Sequence, residues 1–258
     1  MFFPKLCCLA ISSIRYQIDH LINGYIGTRQ GHPIIYVTHN PDNPKTTPTH
    51  KECHRISSKQ GQLFMPQIEN YTHLKHRLDD HLNQWYSHYN YAPPKYVMPY
   101  KSGRRLDYAF FENSPEDANP RPPKFPIVYK GKTYYSKNEV LAVIVSRNLG
   151  LQFKSEVPLE VNDNTTYCLD GLIGCEMADF SMYLEIMGMP DKPDYMQRNY
   201  QKIVDYSNTG LRQNQEILYI FVPNSYEFDS DNLEIQIMMS IERSLPEPEG
   251  WLEAVTAA

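Results

Sequence analysis

Eight of the chain's 20 prolines fall between Ala92 and Pro126. A segment so interrupted can hold neither a long helix nor a central strand, because proline lacks the amide hydrogen that both ladders use. Regular structure must therefore be built before this stretch or after it. The stretch is too apolar for a free linker, since it also carries Tyr96, Val97, Leu106, Tyr108, Phe110 and Phe111. It is expected to run extended over one of the folded parts. The 258 residues then divide into an accessory region at 1–91, a proline-rich connector at 92–126, a principal domain at 127–245 and a tail at 246–258. That length suits a compact domain with an accessory part.

In the accessory region, Ile11, Ile14, Ile18, Leu21 and Ile22 recur at helical spacing, which predicts a helix over Ile11–Ile22. Pro33–Thr38 reads as a strand, Asn40–Pro48 as turn material and His54–Ser57 as a second strand, making a hairpin with a long polar connection. From Pro66 to about His88 the apolar residues Ile68, Tyr71, Leu74, Leu78, Leu82 and Trp85 step by three or four, the mark of an amphipathic helix. The apolar opening, Met1 to Ile11, has no basic stretch before it and no small-residue cleavage site, so it reads as the start of a buried helix. Five cysteines without C-x-x-C spacing fit a reducing compartment, and a cytoplasmic location is expected. No run approaches the roughly 20 apolar residues that cross a bilayer.

After the connector the pattern becomes regular. Ile127–Tyr129 and Thr133–Tyr135 flank Lys130-Gly131-Lys132 as a short hairpin, and Ser136 opens a helix to about Asn148. Three strand-like runs follow, Phe153–Val161, Tyr167–Ile173 and Phe180–Met187, then a helix over Pro193–Ser207. Ile217–Val222 (ILYIFV) is apolar throughout and reads as a central strand covered on both faces, and Asp231–Ser244 can close the domain as a helix. The expected fold class is α/β.

Three acids stand at meaningful places in that order: Glu139 in the first helical turn, Asp170 on the second strand and Glu185 near the end of the third. Neighbouring strands of a meander can bring Asp170 and Glu185 side by side with Glu139 above them. Converging carboxylates offer hard oxygen ligands to Mg²⁺, which activates water and neutralises charge on a phosphoryl oxygen. Each acid also has a structural explanation. Ser136-Lys137-Asn138-Glu139 is a capping box, in which Glu139 would bond the Ser136 amide. Asp170 precedes Gly171, as turn residues do. Glu185 is harder to explain away, because Tyr183, Leu184, Ile186 and Met187 surround it and an isolated charge there is costly.

Gly131-Lys132-Thr133-Tyr134-Tyr135-Ser136-Lys137-Asn138-Glu139, Tyr167-Cys168-Leu169-Asp170, Tyr183-Leu184-Glu185-Ile186-Met187-Gly188-Met189 and Lys202-Ile203-Val204-Asp205-Tyr206-Ser207-Asn208-Thr209-Gly210 stand in an order that matters. With Asp191-Lys192-Pro193-Asp194-Tyr195 between the last two, the span Tyr129–Val222 resembles a branch of the PD-(D/E)XK nuclease superfamily found in bacterial proteins. The resemblance implies a restriction-endonuclease-like core of helix, three-stranded meander, helix and strand, preceded by an N-terminal α+β accessory region. It implies hydrolysis of phosphodiester bonds in DNA with Mg²⁺ or Mn²⁺ held by Asp170, Glu185 and Glu139. Leu169 stands where the family motif has proline, and Met187 where it has lysine. The missing ammonium group is then expected from the next helix, with Lys202 first and Lys192 and Arg198 after it.

The net charge of −5 argues against a protein that coats phosphates along its whole surface, though not against a basic groove around an acidic centre. Lys101, Arg104 and Arg105, with Lys95 and the interleaved Tyr96, Tyr100 and Tyr108, form a basic and aromatic set of the sort that contacts nucleic acid. Lys130, Lys132 and Lys137, with Lys124, are expected to approach the acids and offset their field. His50, Cys53 and His54 match no zinc-finger spacing. DNA is thus the expected partner, a membrane is not, and a homodimer is compatible with the pattern. The rival expectations are a catalytically degenerate nuclease fold acting as a nucleic-acid or protein binding module, and an assembly protein that uses its 20 tyrosines against a protein partner.

Overall fold

The computed structural model describes residues 1–188, 193–222 and 228–252. The chain forms two compact units, one of Met1–Leu6 with Lys101–Pro246 and one of Cys7–Tyr100 with Glu247–Ala258. The boundary at Tyr100 and Lys101 falls inside the proline-rich stretch. Elements are mixed α and β, and no helix among the described residues is long and apolar enough to cross a membrane.

Helix α1 (Pro4–Asp19) begins earlier than its isoleucine spacing suggests, and Cys8, Leu9, Ile11 and Ile14 along it are buried. Strands β1 (Asn23–Arg29), β2 (His32–His39) and β3 (Glu52–Arg55) form one antiparallel sheet in the order β1-β2-β3, where two strands were expected. The pattern of β1 is hidden because Gly24 and Gly27 break its alternation. Gln30 and Gly31 join it to β2 with φ of 53° and 77°, the backbone of a two-residue hairpin turn. Helix α2 (Lys59–Tyr86) starts a full seven residues before Pro66, capped by Ser58, whose side chain accepts from the Gly61 amide. Its face against the sheet sets Phe64 and Ile68 on Ile22, Ile35 and Val37.

In the other unit the proline-rich stretch contains a short helix, α3 (Tyr108–Asn113), capped by Asp107. Strands β4 (Ile127–Tyr129) and β5 (Lys132–Tyr134) form the expected hairpin, and helix α4 (Lys137–Asn148) follows the Ser136 cap. Strands β6 (Gln152–Asn162), β7 (Thr165–Cys175) and β8 (Phe180–Gly188) are an antiparallel meander. Helix α5 (Pro193–Asn208) then returns the chain so that β9 (Ile217–Val222) lies parallel to β8, and helix α6 (Ser230–Ser244) follows. The sheet order is β6-β7-β8-β9, so β9 is an outer strand and not the central one that its composition suggested. All its side chains but that of Phe221 are buried all the same, on both faces. Burial by helices produces the same apolar run as a central position, which is why sequence alone does not separate the two.

On one face of the sheet Tyr183, Met187 and Leu172 meet Tyr206 of α5 and Phe111 of α3. Helix α4 packs on α6 and against β6 and β7. The feature that positions the site is a fork in the sheet. The β7–β8 ladder stops at the pair Gly171↔Leu184, while β7 stays with β6 to Asn162↔Thr165 and β8 stays with β9 to Gly188↔Val222. Past that pair the two central strands separate, and the first residues beyond it are Asp170 and Glu185.

Candidate metal centre

Glu139 reaches the fork from α4. The Ser136 hydroxyl accepts from the Glu139 amide at 3.2 Å, and Glu139 Oε2 accepts from the Tyr135 amide at 3.0 Å. This is the capping arrangement that the sequence suggested, with the Tyr135 amide joining the Ser136 backbone on the return bond. The cap fixes the carboxylate, 2 % exposed, at the head of the helix.

Asp170 closes the fork. Its Oδ2 accepts from the Ile186 amide at 2.6 Å, so the side chain replaces the ladder bond that the separating strands have given up. Glu185, 3 % exposed, accepts from Lys202 Nζ at 2.7 Å through Oε1. Its Oε2 is buried without a hydrogen bond of good geometry, as is the hydroxyl of Tyr206 one helical turn beyond Lys202, which lies beside it and interacts with it. Buried polar atoms left so are uncommon in folded proteins and point to a bound group.

A fourth acid joins them. Glu156 of β6 stands opposite Asp170, between the pairs Ser155↔Gly171 and Val157↔Leu169. Its backbone takes φ of 50°, a left-handed conformation unusual for a residue with a side chain. Ligand oxygens of Glu139, Glu156 and Asp170 all lie within 4.8 Å of one another, so these three can hold a metal ion. Nothing in the sequence marks Glu156. It sits in the strand Lys154-Ser155-Glu156-Val157 as an ordinary alternating residue would, and only its positive φ and long-range neighbours distinguish it.

The electrostatics follow from crowding. Burial, with repulsion from Glu185, raises the Glu139 carboxyl, although the Tyr135 amide pulls the other way. Burial together with the charges of Glu139 and Glu185 lifts Glu156 to about 7, against the pull of Asn119 and Lys202. Asp170 is raised well above the ordinary aspartate range by burial and by Glu185. Burial works against the charge of Lys202, but Glu185 outweighs it and the ammonium group is held more firmly than usual. The Tyr206 phenol is pushed far up, by burial first and then by Glu185 and Asp170. Fully ionised, the acids would carry more negative charge than one lysine can balance, so they hold protons more firmly than ordinary carboxyls, and a divalent cation would take the place of those protons.

Among the expected metal ligands, Glu139 and Asp170 belong to the set that can hold an ion, with Glu156 as its third member; Glu185 lies outside that set and is paired with Lys202 beside it. Of the other candidates for the ammonium group, Lys192 lies outside the described residues, and exposed Arg198 bonds the Asp194 carbonyl of its own helix at 3.3 Å. The six basic residues expected to contact nucleic acid are dispersed. Lys101 stands 3.8 Å from Asp179, and Arg104 bonds the Gln215 carbonyl at 2.8 Å and faces Glu216 at 3.8 Å. Lys132 is paired with Glu116 and with Asp117. Arg105 is exposed and donates to the Thr209 carbonyl at 3.1 Å, at the rim of a groove of about 560 Å³ beside Phe110, Leu159 and Tyr183. Lys130 and Lys137 are exposed, Lys130 over the ring of Tyr129.

No family model, curated protein or solved structure matches this chain.

Proposed function

We propose that this unit is a metal-dependent phosphodiesterase of the PD-(D/E)XK type, acting on DNA. The observation that carries the reading is the meeting of Lys202 Nζ with Glu185, 2.7 Å apart, beside the carboxylates of Glu139, Glu156 and Asp170. Lys202 supplies from α5 the cation that the family motif places two residues after the glutamate, where this chain has Met187. The order of helix, three strands, helix and strand around the site supports a restriction-endonuclease-like core.

Glu139, Glu156 and Asp170 would hold the cation. An all-oxygen donor set suits Mg²⁺ or Mn²⁺ over softer metals, and the buried Oε2 of Glu185, beside the Tyr206 hydroxyl, is a further oxygen nearby. The bound ion supplies Lewis acidity toward a phosphoryl oxygen and a lowered pKa for water. Lys202 keeps its charge at neutral pH because Glu185 holds it, and so stands ready where negative charge builds on the phosphoryl group. Glu139 is fixed by its cap and Asp170 by the Ile186 amide, so neither needs to be ordered when substrate arrives. Hydrolysis then joins a water oxygen to phosphorus and breaks the ester P–O bond, with a proton passing to the departing oxygen.

The test is cleavage of single-stranded, duplex and branched DNA with Mg²⁺ or Mn²⁺, by the wild type and by Asp170→Asn and Glu185→Gln. Loss of metal-dependent cutting in both variants is expected, and unchanged cutting by either sinks the reading. A second reading, a binding module without catalysis, is favoured by one observation: Met187, fully buried, stands where the motif has its lysine. A wild type that binds DNA in a strongly salt-dependent way and cuts none of these forms belongs to that reading.

A further inference from the structure

Glu156 is held at the centre against three costs: a left-handed backbone, burial of its carboxylate, and like charges on Glu139 and Asp170. Such strain persists only where surrounding structure imposes it. Here the imposing structure is the proline-rich segment 115–121. Its Asp117 amide donates to the Ser155 carbonyl at 2.9 Å and its Ala118 amide to the Glu156 carbonyl at 3.0 Å. The Ser155 hydroxyl donates to Asp117 Oδ1 at 3.1 Å, and Asn119 Nδ2 donates to Glu156 Oε2 at 2.8 Å. Lys132 ties the segment down through Glu116 and Asp117, and the Tyr135 hydroxyl does so through the Arg121 carbonyl. Asp117 is itself left-handed, with φ of 56°.

We infer that segment 115–121 is a built part of the cation site, and that Asn119 is the positioning residue that turns Glu156 toward Glu139 and Asp170 as a ligand. The inference rests on the cation site described above but not on cleavage of any substrate. The segment takes over the backbone carbonyls of Ser155 and Glu156. That frees the β6 backbone to leave the ladder at this one residue and swing the side chain inward. Asn119 then occupies one carboxylate oxygen of Glu156 and leaves the other for the ion, as partners behind metal ligands commonly do. The buried Oε2 of Glu185, which makes no hydrogen bond of good geometry although the Tyr206 hydroxyl lies beside it, borders this set of ligand oxygens.

The experiment is Mn²⁺ binding by calorimetry and by the relaxation of water protons around the bound ion, with the full chain and no nucleic acid. Asp170→Asn tests the site itself. Asn119→Leu removes the amide donor at nearly constant volume. Asn119→His returns an N–H at Nδ1, close to where the amide nitrogen stands. Melting midpoints check that each variant is folded. Expected are a large loss of Mn²⁺ affinity in Asp170→Asn, a loss of roughly 10–100-fold in Asn119→Leu, and recovery of most of that loss in Asn119→His. Wild-type affinity in a folded Asn119→Leu overturns the positioning role while leaving the cation site standing. Wild-type affinity in Asp170→Asn overturns the site and with it the proposed function. If Asn119→Leu does not fold, Glu156→Gln decides: it keeps the shape and removes the ligand charge, and unchanged Mn²⁺ affinity there overturns the inference.

Discussion

The carboxyl of Glu156 makes the stability of the metal-free protein fall as pH rises from about 4.5 to about 7. Its folded value stands at about 7 against an ordinary 4.5, so across that window the folded state holds a proton that the unfolded state has lost. Stability falls with rising pH wherever the folded state binds more protons. A difference of about 2.5 pH units at about 1.4 kcal/mol each gives roughly 3.5 kcal/mol. Solvent reaches the rim of the cluster at Asp170, which is partly exposed, and screening reduces the expected loss to about 1–2 kcal/mol. For a unit of this size that is a fall of about 3–6 °C in melting temperature between pH 4.5 and pH 7.5. The assay is thermal unfolding of wild type and Glu156→Gln in chelator across that range, with the difference between the two curves as readout. The Gln variant should follow a flatter curve, because the amide has no proton to lose, and Mn²⁺ should restore the wild type at pH 7.5. Parallel curves for the two proteins refute the account, since Glu156 would then not be the group that carries the effect.

Lys202→Met leaves Glu185 buried beside Asp170 without its counter-ion and should cost about 2–3 kcal/mol, the low side for a buried pair because Lys202 is 34 % exposed. Adding Glu185→Gln to that variant should recover most of the loss, and equal midpoints for the single and double variants in chemical denaturation would sink the idea. Binding of Mn²⁺ should release protons and tighten from pH 5.5 to pH 8, because the ion displaces protons that Glu139, Glu156 and Asp170 hold more firmly than ordinary carboxyls. Calorimetry in two buffers of different ionisation enthalpy reads that release directly, and identical heats in both would count against it. In the other unit, Glu52 behaves oppositely. Burial works to raise its carboxyl, but Thr46, His54, Asn43 and Asn40 outweigh it and hold the group at about 2. Its contribution is therefore complete above about 4.5 and lost as pH falls toward about 2, and Glu52→Gln should loosen the loop 40–51, seen as faster amide hydrogen exchange there.

Local chemistry alone determined much of this protein. The Ser136 cap, the glycine turns, the apolar run of β9 and the order of elements after residue 126 all rest on neighbours a few positions away in the chain, where side-chain type and spacing decide the outcome. The same short-range signals placed Glu139, Asp170 and Glu185 at the start of a helix and on adjacent strands, whereas Lys202 was singled out only through the resemblance to a family motif whose lysine is Met187 here. Where local signals conflicted, the reading failed. Two glycines masked β1, and Pro66 was taken for a helix start although it lies well inside α2.

Only the tertiary structure decided the rest. The fork between β7 and β8 depends on which outer strand each one keeps, and no residue pattern records that choice. Glu156 enters the centre because a segment some forty residues earlier takes over its backbone carbonyl and its carboxylate, turning an unremarkable strand position inward. Lys101, Arg104 and Lys132 look free in the sequence, yet acids brought up by the fold engage them. In each case the deciding energy is a contact between residues distant along the chain. Charge and burial act through space, and sequence spacing carries no measure of that distance.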